Sequence, residues 1–344
     1  MEDRYGHRIS YLRVSITDRC NERCTYCMPQ ELQEWLPREE ILSFEETLRL
    51  IRVGTELGIS KIRITGGEPL TRRDVLPFFQ ALGRISNIRD IGISTNGTLL
   101  GRKSASRTDS SGGEIDNNIS MAQALRNAGV RTANISLDTL DPEVYAAITG
   151  RDLHGQALAG IHSAIDAGFE QIKLNCVLMR GRNDDQLVPL IDFAAERSLL
   201  LRFIELMPVS TSEVLDEQNF LSILEAKRGI EKRFGTLIPD PQFRTNGPAS
   251  YYQISGRNQR VGFIGAMTNL HFCESCNKLR LTCDGKLRPC LGSYLEFDIM
   301  KVLRAGAGDD ELRQFFLDVV ERKPEQHDFR NNYQPGRKMV AIGG

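Results

Sequence analysis

Seven of the eight cysteines fall into two groups. Cys20, Cys24 and Cys27 lie within one run of eight residues, and Cys273, Cys276 and Cys290 form a second group with Cys283 inside it. Three thiolates on one short loop can hold three irons of a cubane cluster and leave the fourth iron without a protein ligand. An open iron is a binding position for another molecule, as an open coordination site is on a catalytic zinc. Structural zinc usually takes paired Cys-x2–4-Cys knuckles, and the first run has no nearby partner of that kind. The second group, four thiols opening with Cys-x2-Cys, suits an all-cysteine zinc site on spacing alone. A third set of chemically capable residues is cationic: Arg13, Arg63, Lys173, Arg202, Lys278 and Arg280. Arginine forks match phosphate oxygens two at a time, and lysine adds a point charge.

These side chains need elements to hold them. Short strands are expected at Tyr11–Thr17, Lys61–Thr65, Asp90–Thr95, Arg131–Asp138, Gln171–Leu178 and Leu200–Leu206, with helices between. Ser43-Phe44-Glu45-Glu46 reads as a capping box and Asp141-Pro142 as an N-cap followed by proline at the first helical position. Gly58, Gly129 and Gly168 suit helix ends. Six strand–helix repeats imply parallel strands with crossover helices, hence an open barrel or a doubly wound sheet. The strands themselves choose between these. Leu12, Val14 and Ile16 alternate with Arg13, Ser15 and Thr17; Ile62 and Ile64 with Arg63 and Thr65; Ile91 and Ile93 with Gly92 and Ser94. Ala133, Ile135 and Leu137 alternate with Asn134, Ser136 and Asp138; Ile172, Leu174 and Cys176 with Lys173 and Asn175. Side chains on a strand change face at every residue, so the polar set converges on one space. A close-packed eight-stranded barrel fills that space with branched apolar residues. Here it is polar and positively charged. The competing reading, a solvated sheet face with each cation paired to a nearby acid, is the weaker one for five strands in succession.

The expected architecture is an α/β open (partial) parallel barrel of six repeats over residues 1–208, followed by a smaller α+β region over 209–344. That second region is expected to hold a helix at Phe220–Phe234, a hairpin of Tyr251–Ile254 with Arg260–Ile264, and a helix near Asp309–Glu321. Residues 101–118, rich in Ser, Gly, Asn and Asp, read as a mobile surface loop. With Lys+Arg at 44 and Asp+Glu at 45, the net charge is −1, which argues against a general surface for nucleic acid or anionic lipid. The N-terminal residues lack the apolar core of a signal peptide, and no stretch reaches the roughly 20 apolar residues of a membrane span. A cytoplasmic protein is expected, in which disulfides would be rare.

The Cys-x3-Cys-x2-Cys run with Tyr26 before its last cysteine resembles the signature of the radical SAM enzymes, as does Gly66-Gly67-Glu68-Pro69 after the second strand. The segments Asp18-Arg19-Cys20-Asn21, Arg72-Arg73-Asp74, Ser94-Thr95-Asn96-Gly97, Asn134-Ile135-Ser136-Leu137-Asp138 and Arg202-Phe203-Ile204-Glu205 resemble the GTP 3′,8-cyclase family of molybdenum cofactor biosynthesis. So do Phe272 to Leu281, Asp284-Gly285-Lys286-Leu287 and the terminal Ile342-Gly343-Gly344. The resemblance runs nearly end to end and fails at 101–118, which has the character of an insertion.

It implies two [4Fe–4S] clusters, each with three cysteine ligands. Cys20, Cys24 and Cys27 would hold the cluster that cleaves S-adenosylmethionine (SAM), and Cys273, Cys276 and Cys290 the one facing the substrate. Cys283 would be a bystander, and Cys176 core. Tyr26, Gly67, Ser136 and Met207 would contact SAM. Arg13, Arg63, Ser94, Lys173, Lys278 and Arg280 would bind GTP, with Lys278 standing where the family usually has arginine. Arg13, Arg202, Lys278, Arg280, Gly343 and Gly344 would surround the reaction. A 5′-deoxyadenosyl radical would take hydrogen from C3′ of GTP, and the ribose carbon would attack C8. The implied partners are GTP, a reductase or flavodoxin-type electron donor and the downstream pyranopterin monophosphate synthase; a homodimer is compatible, and neither nucleic acid nor membrane is expected. Two other classes fit parts of the pattern: a radical SAM peptide-modifying enzyme with an auxiliary cluster, and a zinc-stapled scaffold.

Overall fold

Alternation along the strands builds the molecule. In the computed structural model, which describes residues 1–28, 34–104, 118–209, 215–216, 218–245, 247–331, 333–334 and 336–343, the expected repeats form. They run β1 (Tyr11–Ser15), α1 (Phe44–Glu56), β2 (Lys61–Thr65), α2 (Val75–Gly83), β3 (Asp90–Thr95), α3 (Met121–Asn127) and β4 (Thr132–Ser136). Then come α4 (Pro142–Thr149), α5 (His154–Asp166), β5 (Gln171–Leu178), α6 (Leu187–Glu196) and β6 (Leu200–Glu205). Leu12, Val14, Ile62, Ile64, Ile91, Ile93, Ala133, Ile135 and Leu174 lie in one core cluster with residues of the covering helices. Each fully buried Leu or Ile is worth about 1.5–3 kcal/mol. A slip of one residue in β1 would drive Arg13 into this layer, so the apolar faces also fix which way the cations point.

The capping box at Ser43 and the Asp141 cap form as expected, Asp141 accepting from the backbone of Glu143 and Val144. Strand β1 stops at Ser15 rather than Thr17, and the Thr17 carbonyl instead accepts from Gly67 N–H (2.8 Å). The helix expected from Phe220 starts three residues later, because Ser222 and Glu225 form its capping box while Phe220 bridges Met179. Most of the polar 101–118 loop, residues 105–117, lies outside the described residues.

Beyond β6 the chain adds α7 (Ile223–Phe234), β7 (Leu237–Pro239), β8 (Ser250–Ile254), β9 (Arg260–Ile264), β10 (Lys278–Leu281), β11 (Lys286–Arg288) and β12 (Phe297–Asp298). It ends in α8 (Ile299–Arg304), α9 (Asp309–Glu321) and α10 (Met339–Ile342). These later strands join the same sheet at both of its edges. The order is β12-β11-β10-β1-β2-β3-β4-β5-β6-β9-β8-β7, with β10 parallel to β1 and β9 parallel to β6. The sheet is open, and its inward face stays polar. Gly92 on β3 shows how tightly that face is built: a Cβ there would overlap the Arg63 guanidinium. Among the described residues no helix is long and apolar enough to cross a membrane.

Candidate active site

The inward face of the sheet encloses a cavity of about 340 Å³, the size of a small-molecule site. Cys20, Cys24, Cys27, Cys273, Cys276 and Cys290 all line it. Residues some 250 positions apart in the chain thus face one space, as β10 is seated against β1. Cys176 and Cys283 are buried away from the cavity, Cys176 in the main core.

The first cysteine group sits on the loop after β1. The N–H groups of Cys27 and Met28 both donate to the Cys24 carbonyl (2.9 and 3.0 Å), which turns the loop back on itself. The Gly66-Gly67 turn straps it from behind. Gly67 N–H donates to the Thr17 carbonyl and Glu68 N–H to that of Arg19 (2.8 Å each). A Cβ at Gly66 would come within 2.7 Å of the Thr17 oxygen, and one at Gly67 would overlap the Arg19 carbonyl. The surroundings are acidic and dry. Tyr26 donates to Asp138 (2.7 Å), which also accepts from Val177 N–H (2.8 Å), and Tyr145 donates to Glu22. Glu68 accepts from Thr95 and from Asn96 N–H (2.8 Å each) and from Leu70 N–H (3.0 Å). Burial pushes Glu22 and Glu68 up to about 7 and Asp138 to about 6. Burial also pushes the Cys20 thiol up to about 12 and those of Cys24 and Cys27 well above the ordinary range, with nearby carboxylates adding to it. Three partly buried thiols held in their neutral form in this setting become thiolates when a cationic centre binds them, so the donor set fits an iron–sulfur cluster.

The second group is assembled from separated pieces. Cys276 N–H donates to the Cys273 carbonyl (2.9 Å), and the β10–β11 hairpin returns the chain to Cys290. Burial would raise the Cys276 thiol, but the ammonium groups of Lys323 and Lys278, with hydrogen bonds from both residues, hold it below its ordinary value. Burial raises Cys290 to about 11 against the opposing pull of Lys323. Among the described residues no three His, Cys, Asp or Glu side chains converge on a single ion. A tetrahedral zinc needs its sulfurs about 2.3 Å from one point, whereas a cubane spreads three thiolates over separate irons.

Arg13, Arg63, Lys173, Arg202, Lys278 and Arg280 all line the cavity, with Ser94 among them. Among the described residues the buried Nε of Arg13 has no hydrogen-bond partner. Burial, with Arg202, Arg63 and Lys61 nearby, pushes Lys173 down to about 6; burial and Arg13 push Arg280 down to about 9. Such crowding of cations is costly until an anion enters. Two of the expected ligands are already engaged. Arg63 donates to Tyr11, to the carbonyls of Ile93 and Thr132 and to Thr132 Oγ1, so its fork braces the strands. Arg202 donates twice to Asn175 (2.9 and 2.6 Å).

Tyr26, Gly67, Ser136 and Met207 also line the cavity. The tail reaches the site: Arg280 donates to the Gly343 carbonyl (2.8 Å). Gly343 has φ +82°, and a Cβ there would meet Thr65 at 2.8 Å and Ser15 at 3.0 Å. Gly344 lies outside the described residues. Sequence reasoning missed Lys323 and Tyr11. Burial would raise Tyr11, but Arg63 and Arg13 hold it down at about 7; it is an inward position on β1, so alternation could have found it. Asn134, which alternation does place on the inward face, has a buried Oδ1 with no hydrogen-bond partner among the described residues.

Comparison with known proteins decides the family. A profile of the Radical SAM superfamily matches residues 14–194, and one described as Molybdenum Cofactor Synthesis C matches 199–329. The chain is 43% identical over 345 residues to the GTP 3′,8-cyclase of Thermodesulfovibrio yellowstonii, covering 100% of both chains. With that of Ectopseudomonas mendocina it is 44% identical over 346 residues, covering 99% of this chain and 98% of the other. The chain belongs to the GTP 3′,8-cyclase family. It is a radical SAM enzyme, with [4Fe–4S] clusters and SAM as cofactors. Streptococcus suis SuiB bound to S-adenosylmethionine shares the fold, with a TM-score of 0.55 at 16% identity over 98% of this chain and 78% of that one.

Proposed function

We propose that this cavity binds SAM at its acidic, Cys20–Cys24–Cys27 end and GTP across its cationic middle, and that the chain converts GTP to 3′,8-cyclo-7,8-dihydroguanosine 5′-triphosphate. The observation that carries this reading is the opening of both cysteine groups onto one cation-lined cavity. Cys20, Cys24 and Cys27 would hold the first cluster and Cys273, Cys276 and Cys290 the second. When bound, the first cluster supplies the electron that breaks a C–S bond of SAM and yields the 5′-deoxyadenosyl radical.

The chain's own residues bind, orient and exclude water. Tyr26, Gly67, Ser136 and Met207 frame SAM; Gly67 offers close backbone approach, and Ser136 an inward hydroxyl. Arg13, Lys173, Lys278 and Arg280, with Ser94, take the triphosphate, and Arg63, braced by Tyr11, Ile93 and Thr132, adds positive charge from the neighbouring strand. Lys278 binds as a point charge, without the two-pronged grip of arginine. Arg202 and Gly343 of the tail close the site around the guanosine. Holding GTP C3′ against the radical is the protein's main contribution, since positioning alone supplies several kcal/mol of a barrier, on the order of 7–11.

The reaction needs an external one-electron donor, a reductase or flavodoxin-type protein, and its product suits the downstream pyranopterin monophosphate synthase; the setting is the cytoplasm. The test is an anaerobic assay of the reconstituted enzyme with GTP, SAM and dithionite. The expected result is 5′-deoxyadenosine and a cyclised nucleotide formed together. Deoxyadenosine without cyclised nucleotide would overturn the substrate.

A further inference from the structure

Helix α9 ends at Glu321, and two residues later the chain places Lys323 in the interior, 3% exposed. Its ammonium donates to the Pro289 carbonyl and to that of Lys278 (3.3 Å), and the side chain hydrogen-bonds the Cys276 thiol. Lys278 follows Cys276 by two residues, and Pro289 immediately precedes Cys290. One ammonium therefore ties together two arms of the second cysteine group, and its field reaches Cys273 and Cys290 as well. Among the described residues the ammonium has no ion-pair partner and is held by two carbonyls and the Cys276 thiol. A buried cation without a counter-charge is unfavourable, and thiolates carrying a cluster supply the missing negative charge. The first cysteine group has the opposite setting, with Glu22, Glu68 and Asp138 around it.

We propose that Lys323 is a positioning residue of the second cluster: it holds the Cys276 and Cys290 arms at one spacing and favours the cluster's reduced, more negative state. The inference rests on reading Cys273, Cys276 and Cys290 as cluster ligands. Net charge and hydrogen bonds to sulfur are among the main determinants of cluster potential. Lys323 makes the second cluster easier to reduce than it would be without the ammonium, through a side chain that touches neither SAM nor GTP.

The test is an EPR-monitored redox titration of the reconstituted enzyme as wild type, Lys323→Gln and Lys323→Arg, with iron counted per chain. In Lys323→Gln the second cluster's reduction equilibrium should move about tenfold toward the oxidised form, which is about 59 mV for a one-electron couple. The first cluster's potential should stay in place, and Lys323→Arg should restore most of the shift. Loss of the second cluster alone in Lys323→Gln, with both clusters kept in Lys323→Arg, would also support the assignment. An unchanged second-cluster potential, or equal loss of that cluster in both variants, would overturn it. A wild-type enzyme that takes up only one cluster would instead defeat the two-cluster reading itself.

Discussion

The two cysteine sites face one cavity but are built in opposite ways. The first is a contiguous eight-residue loop, tied by its own backbone and by the Gly66-Gly67 turn. The second is collected from the approach to β10, the end of β11 and the residue Lys323 after α9. Carboxyl groups surround the first and ammonium groups the second. A carboxylate wall opposes added negative charge and an ammonium wall welcomes it. The polarity of the cavity is thus set by the walls, with the cations proposed for the triphosphate lining the same space as the second site. The contrast matches the proposed division, with electron delivery at one end and anion capture at the other.

The largest effects should come from removing a thiol at either end. Cys27→Ala should abolish SAM cleavage and cyclisation together. Cys290→Ala should keep reductive cleavage of SAM to 5′-deoxyadenosine while losing the cyclised nucleotide. Product analysis by chromatography, with iron per chain, checks both. If Cys290→Ala lost SAM cleavage as completely as Cys27→Ala, the two ends would not be separate. Cys283→Ser should keep the iron content and both activities, because Cys283 does not face the cavity.

Arg13→Ala comes next. Arg13 faces the cavity with an unpartnered Nε, and a hydrogen bond to a charged group is worth about 1.5–3 kcal/mol. GTP affinity measured by calorimetry should fall roughly 10- to 150-fold, with SAM cleavage largely kept. Loss of both would place Arg13 in the support of the barrel rather than at the substrate end.

Gly343→Ala tests the tail. At φ +82° an alanine costs about 1–2 kcal/mol, and its Cβ would press on Thr65 and Ser15. The tail is anchored upstream by Arg337, which pairs with Asp284 and with Glu296 (3.1 Å). The variant should keep that anchor and lose the Arg280 contact, lowering cyclisation about tenfold while deoxyadenosine still forms. Comparing the two product yields reads the uncoupling directly.

What could be read from the sequence follows the same division. The first site is legible because its ligands, turn and strap are short contiguous segments with fixed residue types. The inward cations are legible because β-strand alternation is local. The joining of β10 to β1 is not, since a four-residue strand carries too little pattern to reveal a parallel neighbour more than 250 residues away. Lys323 is hidden for the same reason: a lysine after a polar helix reads as solvated, and only the packing of that helix end against Pro289 and Lys278 buries it. Arg63 shows the complementary failure. Its inward direction is readable, but its engagement with Thr132 and Ile93 depends on Gly92 leaving room on the next strand.

The smallest and most discriminating effect concerns protons. Lys173 is held at about 6, below its usual 10.5, by burial and by Arg202, Arg63 and Lys61. Between those two values the unfolded chain carries a proton that the folded chain lacks, so this residue makes stability rise with pH across the window. Below about 6 both states are protonated and the cost of the buried charge is present in full. A triphosphate reverses the balance by supplying the counter-charge. At pH near 8 GTP binding should therefore take up close to one proton per site, and GTP affinity should strengthen as pH falls toward 6. Calorimetry in two buffers of different ionisation enthalpy measures the uptake, and Lys173→Met should abolish it. The Cys20–Cys27 end offers the control: because the charges that act on Lys173 are those of Arg202, Arg63, Lys61 and Asp90, SAM binding should show the same proton balance in the wild type and in Lys173→Met. A SAM-linked proton change that disappears with Lys173 would mean that the two ends of the cavity share one electrostatic field, and the division between them would fail.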